Sequence, residues 1–246
     1  FGFIRCLRGV LERYPYRLWV AGGDGGLAAR RLQLLPTYKQ REHSEEEDEY
    51  RQRFKLNRAY LHQLLPLLGV QELKFNGREA DDLIHLSREL LRTLAAAESA
   101  AVGAVVISED RDFLQMVEPD TDIYQPRMDR YVTALCFQQI VEVPIERFLL
   151  FKSVFGDAGD KIPGIKGVGE KTAHTVAVEA PILDGFPEPS RWVDVPDWCR
   201  EHKSKRVRSI ADSWDTVIRN YQMVALTLEE FSDSERAALS HQLAQP

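Results

Sequence analysis

The chain has 246 residues, of which 44% are hydrophobic and 28% charged, a composition typical of a globular protein with a sizeable core. Its formal net charge of −6 argues against a protein that coats nucleic acid indiscriminately, and no apolar run approaches the roughly 20 residues that span a bilayer. The three cysteines are far apart and odd in number, which argues against a disulfide framework or zinc knuckle and fits a reducing compartment.

The first part of the chain alternates between helical and extended patterns. Residues 1–11 have the apolar spacing of an amphipathic helix and begin without Met, so we expect the sequence to start inside a domain. Residues 18–21 are predicted to form a short strand, followed by a glycine-rich loop at 22–26. The charged, then periodic stretch that begins at Ser44 predicts a long helix ending at Gly69.

Strands and helices continue to alternate in the middle of the chain. Residues 70–75 are predicted to be extended, and the apolar run 102–107 is typical of a strand buried on both faces of a parallel sheet. A helix is predicted between these strands at 79–97, and a short helix from Asp112. Further strands are predicted near 121–124 and 131–135.

The later part of the chain is predicted to be mostly helical. Its helices are expected at 137–141, 145–155, 170–179, 190–201 and 207–220. Strands alternating with helices early, and helices alone late, predict an α/β domain over residues 1–150 followed by a helical domain over 151–246.

Acidic residues in three short clusters are the most informative feature of the sequence. The clusters are Glu79, Asp81 and Asp82; Asp110 and Asp112; and Asp157 and Asp160. Asp24 follows the first predicted strand, at the kind of strand end where ligands gather in open α/β sheets. Carboxylates brought into one pocket repel each other unless cations lie between them, and all-oxygen ligands favour Mg²⁺ or Mn²⁺. The pattern therefore predicts a divalent-metal site.

Each cluster also has a purely structural interpretation. Acidic side chains in the first turn of a helix stabilise its dipole, which would account for the cluster at 79–82. Asp110 could cap the helix that begins near Asp112, and Asp157 could begin a turn. The metal interpretation is favoured because every cluster adjoins a strand end, a turn or a phosphate-binding type of hairpin.

Residues 162–173 form a glycine- and lysine-rich segment that resembles a helix–hairpin–helix. The residues expected to contact DNA are Gly164, Lys166, Gly167, Gly169, Lys171 and Thr172. Such a hairpin offers backbone N–H groups and positive charge to the phosphates of a duplex without reading its bases. A Walker A loop is disfavoured because Glu170 separates Gly169 from Lys171. A pair of helices that merely packs is the structural alternative.

Metal and phosphate sites together predict an enzyme that hydrolyses phosphodiesters. Two cations about 4 Å apart can activate a water molecule and stabilise the leaving oxygen, one on each side of the phosphorus.

The order and spacing of four segments resemble the 5′-nucleases, the family of flap endonucleases and of bacterial and phage 5′-3′ exonucleases. The segments are 36–39, 77–82, 108–115 and 156–164. The resemblance implies a PIN-like α/β core, with a mostly parallel central sheet flanked by helices, and a C-terminal helical domain that contains the helix–hairpin–helix. It also implies two Mg²⁺ or Mn²⁺ ions and a K⁺ ion that the hairpin can hold.

The resemblance assigns roles residue by residue. The residues implied as metal ligands, or as their supporting shell, are Asp24, Glu79, Asp81, Asp82, Asp110, Asp112, Asp157 and Asp160. Lys39 would contact the scissile phosphate, and Arg41 is the basic residue expected to act with it. The charged stretch of about 40–58 would form an arch through which a 5′ single strand threads. The expected partner is DNA with a 5′ flap or end, and the expected protein is a monomer without membrane attachment in a bacterial cytoplasm, its own or that of a phage's host.

The sequence departs from the family pattern at three points, the first of which motivates an alternative. The family's first acidic residue lies on an N-terminal strand that this sequence does not include. Lys161 stands where the third motif usually has Asn, and Arg41 falls one place early, with Glu42 in the usual position. The alternative is a catalytically weakened, structure-specific DNA-binding protein, and a third reading is a nuclease domain that acts on RNA.

Overall fold

The computed structural model describes residues 2–13, 16, 18–40, 45–182 and 188–244, and the fold is given for these. The strands are β1 (Trp19–Gly22), β2 (Val70–Leu73), β3 (Ala104–Ile107), β4 (Thr121–Gln125) and β5 (Arg130–Val132). The helices are α1 (Gly2–Arg13), α2 (Ala29–Leu34), α3 (Glu45–Leu67), α4 (Ala80–Ala97), α5 (Phe137–Val141), α6 (Phe148–Phe155), α7 (Glu170–Glu179), α8 (Val195–Glu201), α9 (Lys205–Asp212), α10 (Trp214–Val224) and α11 (Asp233–Leu243). Every helix within the described residues is too short or too polar to cross a membrane.

Packing divides the chain into two compact units, which are described separately. Unit 1 comprises Phe1–Ala28, Arg41–Val102 and Thr227–Pro246, and unit 2 comprises Ala29–Gln40 and Gly103–Leu226. The predicted division at residue 150 into an α/β nuclease domain and a helical DNA-binding domain stays a prediction.

Unit 1 is built on a parallel pair of strands, β1 and β2, in which Trp19 lies opposite Val70. Helices α4 and α11 bury their apolar faces in its core, whose buried residues are Leu73, Leu83, Leu86, Phe231, Leu239 and Leu243. The end of β1 lies close to the start of α4, because a Cβ at Gly22 would be 2.7 Å from the Ala80 carbonyl oxygen. Only glycine permits this approach, so Gly22 allows the chain that leads from β1 to Asp24 to lie against the start of α4.

Unit 2 combines a three-stranded sheet with most of the helices. Strand β4 pairs in parallel with β3 and antiparallel with β5. Helix α6 is almost wholly buried and packs against α7 and α10. Asn220 on α10 is fully buried, and its Nδ2 donates hydrogen bonds to the carbonyl oxygens of Ser153 (3.0 Å) and Pro163 (2.8 Å). Since a buried amide would be costly without partners, this contact defines how α10 meets the hairpin that follows α6.

The structure confirms the predicted α/β class with a helical later part, and it refines the sheet. All five predicted strands are present, but among the described residues they form two small sheets, one of two strands and one of three. The helix predicted at 207–220 is two helices, α9 and α10, because the backbone at Ser213 leaves the helical conformation. Two helices were not predicted, α2 and α11; α2 has only six residues, too few to show a period.

Candidate active site

The carboxylates of unit 1 gather at the start of α4. This α4 acidic group comprises Asp24, Glu79, Asp81 and Asp82. Asp24 lies in the loop after β1, and its Oδ1 accepts a hydrogen bond from the Ala80 backbone N–H at 3.0 Å. Glu79 Oε1 accepts one from the Ala28 backbone N–H at 3.2 Å. These two bonds tie the loop after β1 to the first turn of the helix, so Asp24 lies beside the cluster at 79–82.

Burial distinguishes members of the α4 acidic group from ordinary helix-capping residues. Glu79 and Asp82 are 2% and 0% exposed, whereas acidic residues that serve only a helix dipole usually remain in solvent. Asp81 lies between them and accepts a hydrogen bond from the Asp82 backbone N–H at 2.9 Å. Buried carboxylates are costly unless charge or hydrogen bonds compensate them, and the positive charge of Arg78 interacts with Asp82.

An arginine clamp holds the turn that carries Glu79. The Arg78 guanidinium donates two hydrogen bonds to the Glu235 carboxylate, both at 2.9 Å, and lies 4.9 Å from the centre of the Phe231 ring. The hydrogen bond from Arg78 lowers the pKa of Glu235 to about 2, against the opposing effect of its partial burial. Glu235 also completes the capping box at the start of α11 with Ser232. Helix α11 is thereby fixed against the acidic turn.

The carboxylates of unit 2 lie on two loops. This unit 2 acidic group comprises Asp110, Asp112, Asp157 and Asp160. Asp110 follows β3, and its Oδ1 accepts a hydrogen bond from the Asp112 backbone N–H at 2.9 Å, which caps the 3₁₀ turn Arg111–Met116. In the loop after α6, Asp157 Oδ1 accepts one from the Asp160 backbone N–H at 3.2 Å. The structural roles considered for Asp110 and Asp157 are therefore real, and they serve to position the other carboxylates.

A buried lysine connects the two loops of the unit 2 acidic group. The Lys152 Nζ lies 2.7 Å from Asp112 Oδ1 and 2.6 Å from Asp157 Oδ2. Nothing in the acidic motifs singles out Lys152. Its signal in the sequence is that it is the one charged residue in Phe148–Phe155, five residues before Asp157.

In the unit 2 acidic group, burial acts to raise the pKa values of the carboxylates, and the neighbouring lysines act to lower them. Burial raises the pKa of Asp112, and the nearby Lys152 reduces that rise. Burial also acts on Asp157, but the hydrogen bond and charge of Lys152 outweigh it and leave the pKa of Asp157 lowered. Burial raises the pKa of Asp160, opposed by Lys39 and reinforced by the charge of Asp157.

Lys39 lies beside the loop that carries Asp160. Its backbone N–H donates to the Asp160 carbonyl oxygen at 3.0 Å, and its Nζ is 3.5 Å from Asp160 Oδ2. The backbone of Lys39 has a φ of 52°, an unfavourable value for a residue with a side chain, and such strain is commonly retained at functional sites. Arg41, the other predicted catalytic residue, lies outside the described residues, as does the rest of 41–44. Within the predicted arch, α3 begins at Glu45.

The unit 2 acidic group fits a divalent cation in its charge. Among the ion pairs of the described residues, its four carboxylates face two ammonium groups, Lys39 and Lys152, so two negative charges remain. Asp112 Oδ1 is buried, and its contact with the Lys152 Nζ at 2.7 Å is an ion pair. No three His, Cys, Asp or Glu side chains in the described parts of the chain form a ready-made metal cage.

The predicted hairpin joins α6 to α7. Ile162, Ile165 and Val168 are buried and anchor it, whereas Lys166 and Lys171 point to solvent. Gly167 and Gly169 are exposed at the tip of the hairpin. Helix α7 begins after Gly169, and Thr172 lies in its first turn.

Glycine is required at different positions of the hairpin for different structural reasons. A Cβ at Gly164 would lie 2.0 Å from the Phe155 carbonyl oxygen, so this glycine allows two chain segments to touch. Gly167 has open space around it but a φ of 79°, so it supplies a turn that other residues disfavour. Gly167 and Gly169 are thus the positions where a ligand could approach the backbone.

A family model described as 5′-3′ exonuclease, N-terminal resolvase-like domain, matches residues 1–142. The chain is 33% identical over 190 residues to DNA polymerase I of Treponema pallidum, an alignment that covers 76% of this chain and 18% of the polymerase. It is 36% identical over 122 residues to the thermostable DNA polymerase I of Thermus filiformis, with 49% of this chain and 14% of that polymerase covered. The chain spans less than a fifth of the length of these curated relatives.

Solved structures of bacteriophage T5 proteins share the fold. A bacteriophage T5 flap endonuclease in a complex with DNA and metal ions superposes with a TM-score of 0.79 at 20% identity, covering 98% of this chain and 88% of that one. Bacteriophage T5 5′-exonuclease with bound divalent zinc superposes with a TM-score of 0.78 at 21% identity, covering 98% and 89%. At this level of identity the likeness establishes the fold and nothing more.

We expect the change Glu235→Gln to lower the free energy of unfolding at pH 7 by about 1–3 kcal/mol, because it breaks a bidentate, charge-assisted pair. The pKa of Glu235 falls from 4.5 to about 2 on folding, so the stabilisation is complete above the higher value and is lost as the pH falls through the lower one. Urea denaturation at pH 7 and pH 3 measures the difference, and the exposed Glu229→Gln is the control. A difference from wild type that is as large at pH 3 as at pH 7 would show that the ion pair is not its source.

Proposed function

The chain belongs to the 5′-3′ exonuclease family with a resolvase-like N-terminal domain, and from this premise we propose that it is a divalent-metal-dependent 5′-nuclease that hydrolyses phosphodiesters at 5′ ends or 5′ flaps of DNA. The family membership confirms the prediction of a 5′-nuclease and hence of a nuclease enzyme. The proposal includes metal dependence, a two-metal mechanism and a preference for DNA flaps. The monomeric state and the cytoplasmic location stay predictions.

One observation carries the proposal of metal dependence. Asp112 is a buried carboxylate within a group of four that retains two negative charges after its two lysines are counted. A divalent cation would compensate that charge. The expected ligands in unit 2 are Asp110, Asp112, Asp157 and Asp160. We propose that Asp24, Glu79, Asp81 and Asp82 of unit 1 also serve as metal ligands or as supports for ligands.

Metal ions bound to these carboxylates would supply an activated water molecule at neutral pH and stabilise the leaving oxygen. The chain's own residues would hold the phosphate. Lys39 is tied to the Asp160 loop through its backbone, and its ammonium group lies 3.5 Å from the Asp160 carboxylate. It is therefore well placed to neutralise a phosphate that approaches that loop, and we propose it, with Arg41, as a catalytic residue.

The hairpin is proposed to bind the duplex beside the cleavage point. Lys166 and Lys171 are exposed on either side of Gly167 and Gly169, whose backbone is open to solvent. Phosphate contacts of this kind position a duplex without reading its sequence. A K⁺ ion at the hairpin is part of the same proposal, because backbone carbonyls of such hairpins can hold it.

The alternative function is a structure-specific DNA-binding protein with weakened catalysis. Lys152 favours this alternative, because its ammonium group already compensates part of the negative charge of the unit 2 acidic group. It predicts binding of a 5′-flap duplex without hydrolysis at any Mg²⁺ or Mn²⁺ concentration. The RNA reading predicts faster cleavage when the 5′ strand is RNA than when it is DNA.

We expect Asp112→Asn to reduce the rate of cleavage of a 5′-flap DNA duplex in Mg²⁺ by at least about 10²-fold, because the change removes a charged oxygen ligand. EDTA is expected to abolish cleavage by the wild type, and added Mn²⁺ to restore it. Gel-resolved single-turnover rates measure both effects.

The matched control is Asp212→Asn, the same change at an exposed position on α9. It should cleave at the wild-type rate. Undiminished cleavage by Asp112→Asn would contradict the assignment of the site, and flap binding without cleavage by the wild type would favour the alternative function.

The double change Lys166→Ala and Lys171→Ala should weaken duplex binding. It should also reduce the slope of log K against log salt concentration by about 2, since each lost phosphate contact removes roughly 0.9. Fluorescence anisotropy with a 5′-flap duplex between low and moderate salt measures the slope in EDTA. The charge-matched control is Arg5→Ala with Arg8→Ala on α1, which should retain the wild-type slope. An unchanged slope in the hairpin variant would remove the hairpin from the DNA interface.

A further inference from the structure

Helix α6 contains a buried charge that its surroundings would not otherwise favour. Lys152 is 7% exposed, and the neighbouring residues of the helix are apolar apart from Ser153. Ser153 is satisfied within the helix, since its Oγ donates to the Leu149 carbonyl oxygen at 2.6 Å. A lysine at such a position needs a partner, because an isolated buried ammonium group would be strongly destabilising.

The partners of Lys152 are the two carboxylates that fit a divalent cation best. Its Nζ lies 2.7 Å from Asp112 Oδ1 and 2.6 Å from Asp157 Oδ2, so one positive charge joins the 3₁₀ turn after β3 to the loop after α6. A divalent ion held by Asp112 and Asp157 would compete with the Lys152 ammonium group for the same carboxylates. Two cations so close together repel each other, and only one of them can remain there.

We propose that Lys152 is an internal counter-cation that holds Asp112 and Asp157 together in the metal-free protein and that a divalent ion must displace. This inference rests on the proposed function, because it concerns the regulation of the same acidic group. A lysine suits the role better than an arginine: its ammonium group is compact and its four-carbon stem can swing away from the site. The lysine would keep the acidic loops assembled before metal arrives and would reduce the affinity for the metal.

The test is Mn²⁺ binding to the full chain without DNA, measured from the electron paramagnetic resonance signal of free Mn²⁺. Lys152→Met removes the charge at similar length, Lys152→Arg keeps the charge, and Lys205→Met is the matched change at an exposed position on α9. We expect Lys152→Met to bind Mn²⁺ at least about tenfold more tightly than wild type, because the competing cation is gone. Lys152→Arg should bind Mn²⁺ no more tightly than wild type, and Lys205→Met should remain near the wild-type affinity.

Thermal unfolding in EDTA and in Mn²⁺ provides a second measurement. Lys152→Met should melt at a lower temperature than wild type in EDTA, and Mn²⁺ should raise its melting temperature more than it raises that of the wild type. If Lys152→Met is unfolded in EDTA, the inference requires that Mn²⁺ restores its far-UV circular dichroism. Failure to fold at saturating Mn²⁺ would overturn it, because the ion could not then replace the ammonium group.

The outcomes separate this inference from the proposed function. Equal Mn²⁺ affinity in wild type and Lys152→Met, with affinity lost in Asp112→Asn, would overturn the role of Lys152 and leave the metal site intact. Absence of Mn²⁺ binding in all variants would overturn both. Tighter binding in Lys152→Met alone supports the inference.

Discussion

Buried negative charge is the constraint on which the rest of this structure depends. Glu79, Asp82 and Asp112 are almost completely removed from solvent, and each must be compensated by charge or hydrogen bonds. In unit 2 the compensation is visible, because the Lys152 ammonium group lies between Asp112 and Asp157. The glycines and tight turns around the acidic residues allow the chain segments that carry these carboxylates to approach each other closely.

The two units position their acidic residues by the same physical device. A carboxylate accepts a hydrogen bond from a backbone N–H at the start of a helical turn, as Asp24 does from Ala80 and Asp110 does from Asp112. One oxygen is thereby fixed while the carboxylate keeps its second oxygen and its charge. The capping and metal-binding interpretations of these residues are therefore compatible, because the cap orients the group that would bind the ion.

Much of this arrangement could be predicted from the sequence where the signal is local. The apolar run of β3 and the period of α4 predicted those elements, and the acidic residues were predicted at the end of that strand and at the start of that helix. Contacts between distant segments left no such signal. The pairing of Arg78 with Glu235 spans 157 residues, and a charged residue before a helix resembles many exposed ones.

The burial of Lys152 and the pairing of the strands also could not be predicted from local sequence patterns. A single lysine in an apolar helix could equally have lain at the surface, and only the packing of α6 shows that it is buried between two carboxylates. Short strands such as β5, with three residues, carry too little pattern to reveal which neighbours they pair with, so the division into two small sheets could not be predicted. The arch residue Arg41 was predicted from the resemblance alone.

Anomalous diffraction at the manganese edge, from crystals soaked in Mn²⁺, tests the central claim most directly. The account predicts a manganese peak bonded to a carboxylate oxygen of Asp112, with the Lys152 ammonium group moved away from that oxygen. Well-ordered Asp112 and Asp157 side chains still paired with Lys152 at saturating Mn²⁺, with no anomalous peak beside them, would contradict it.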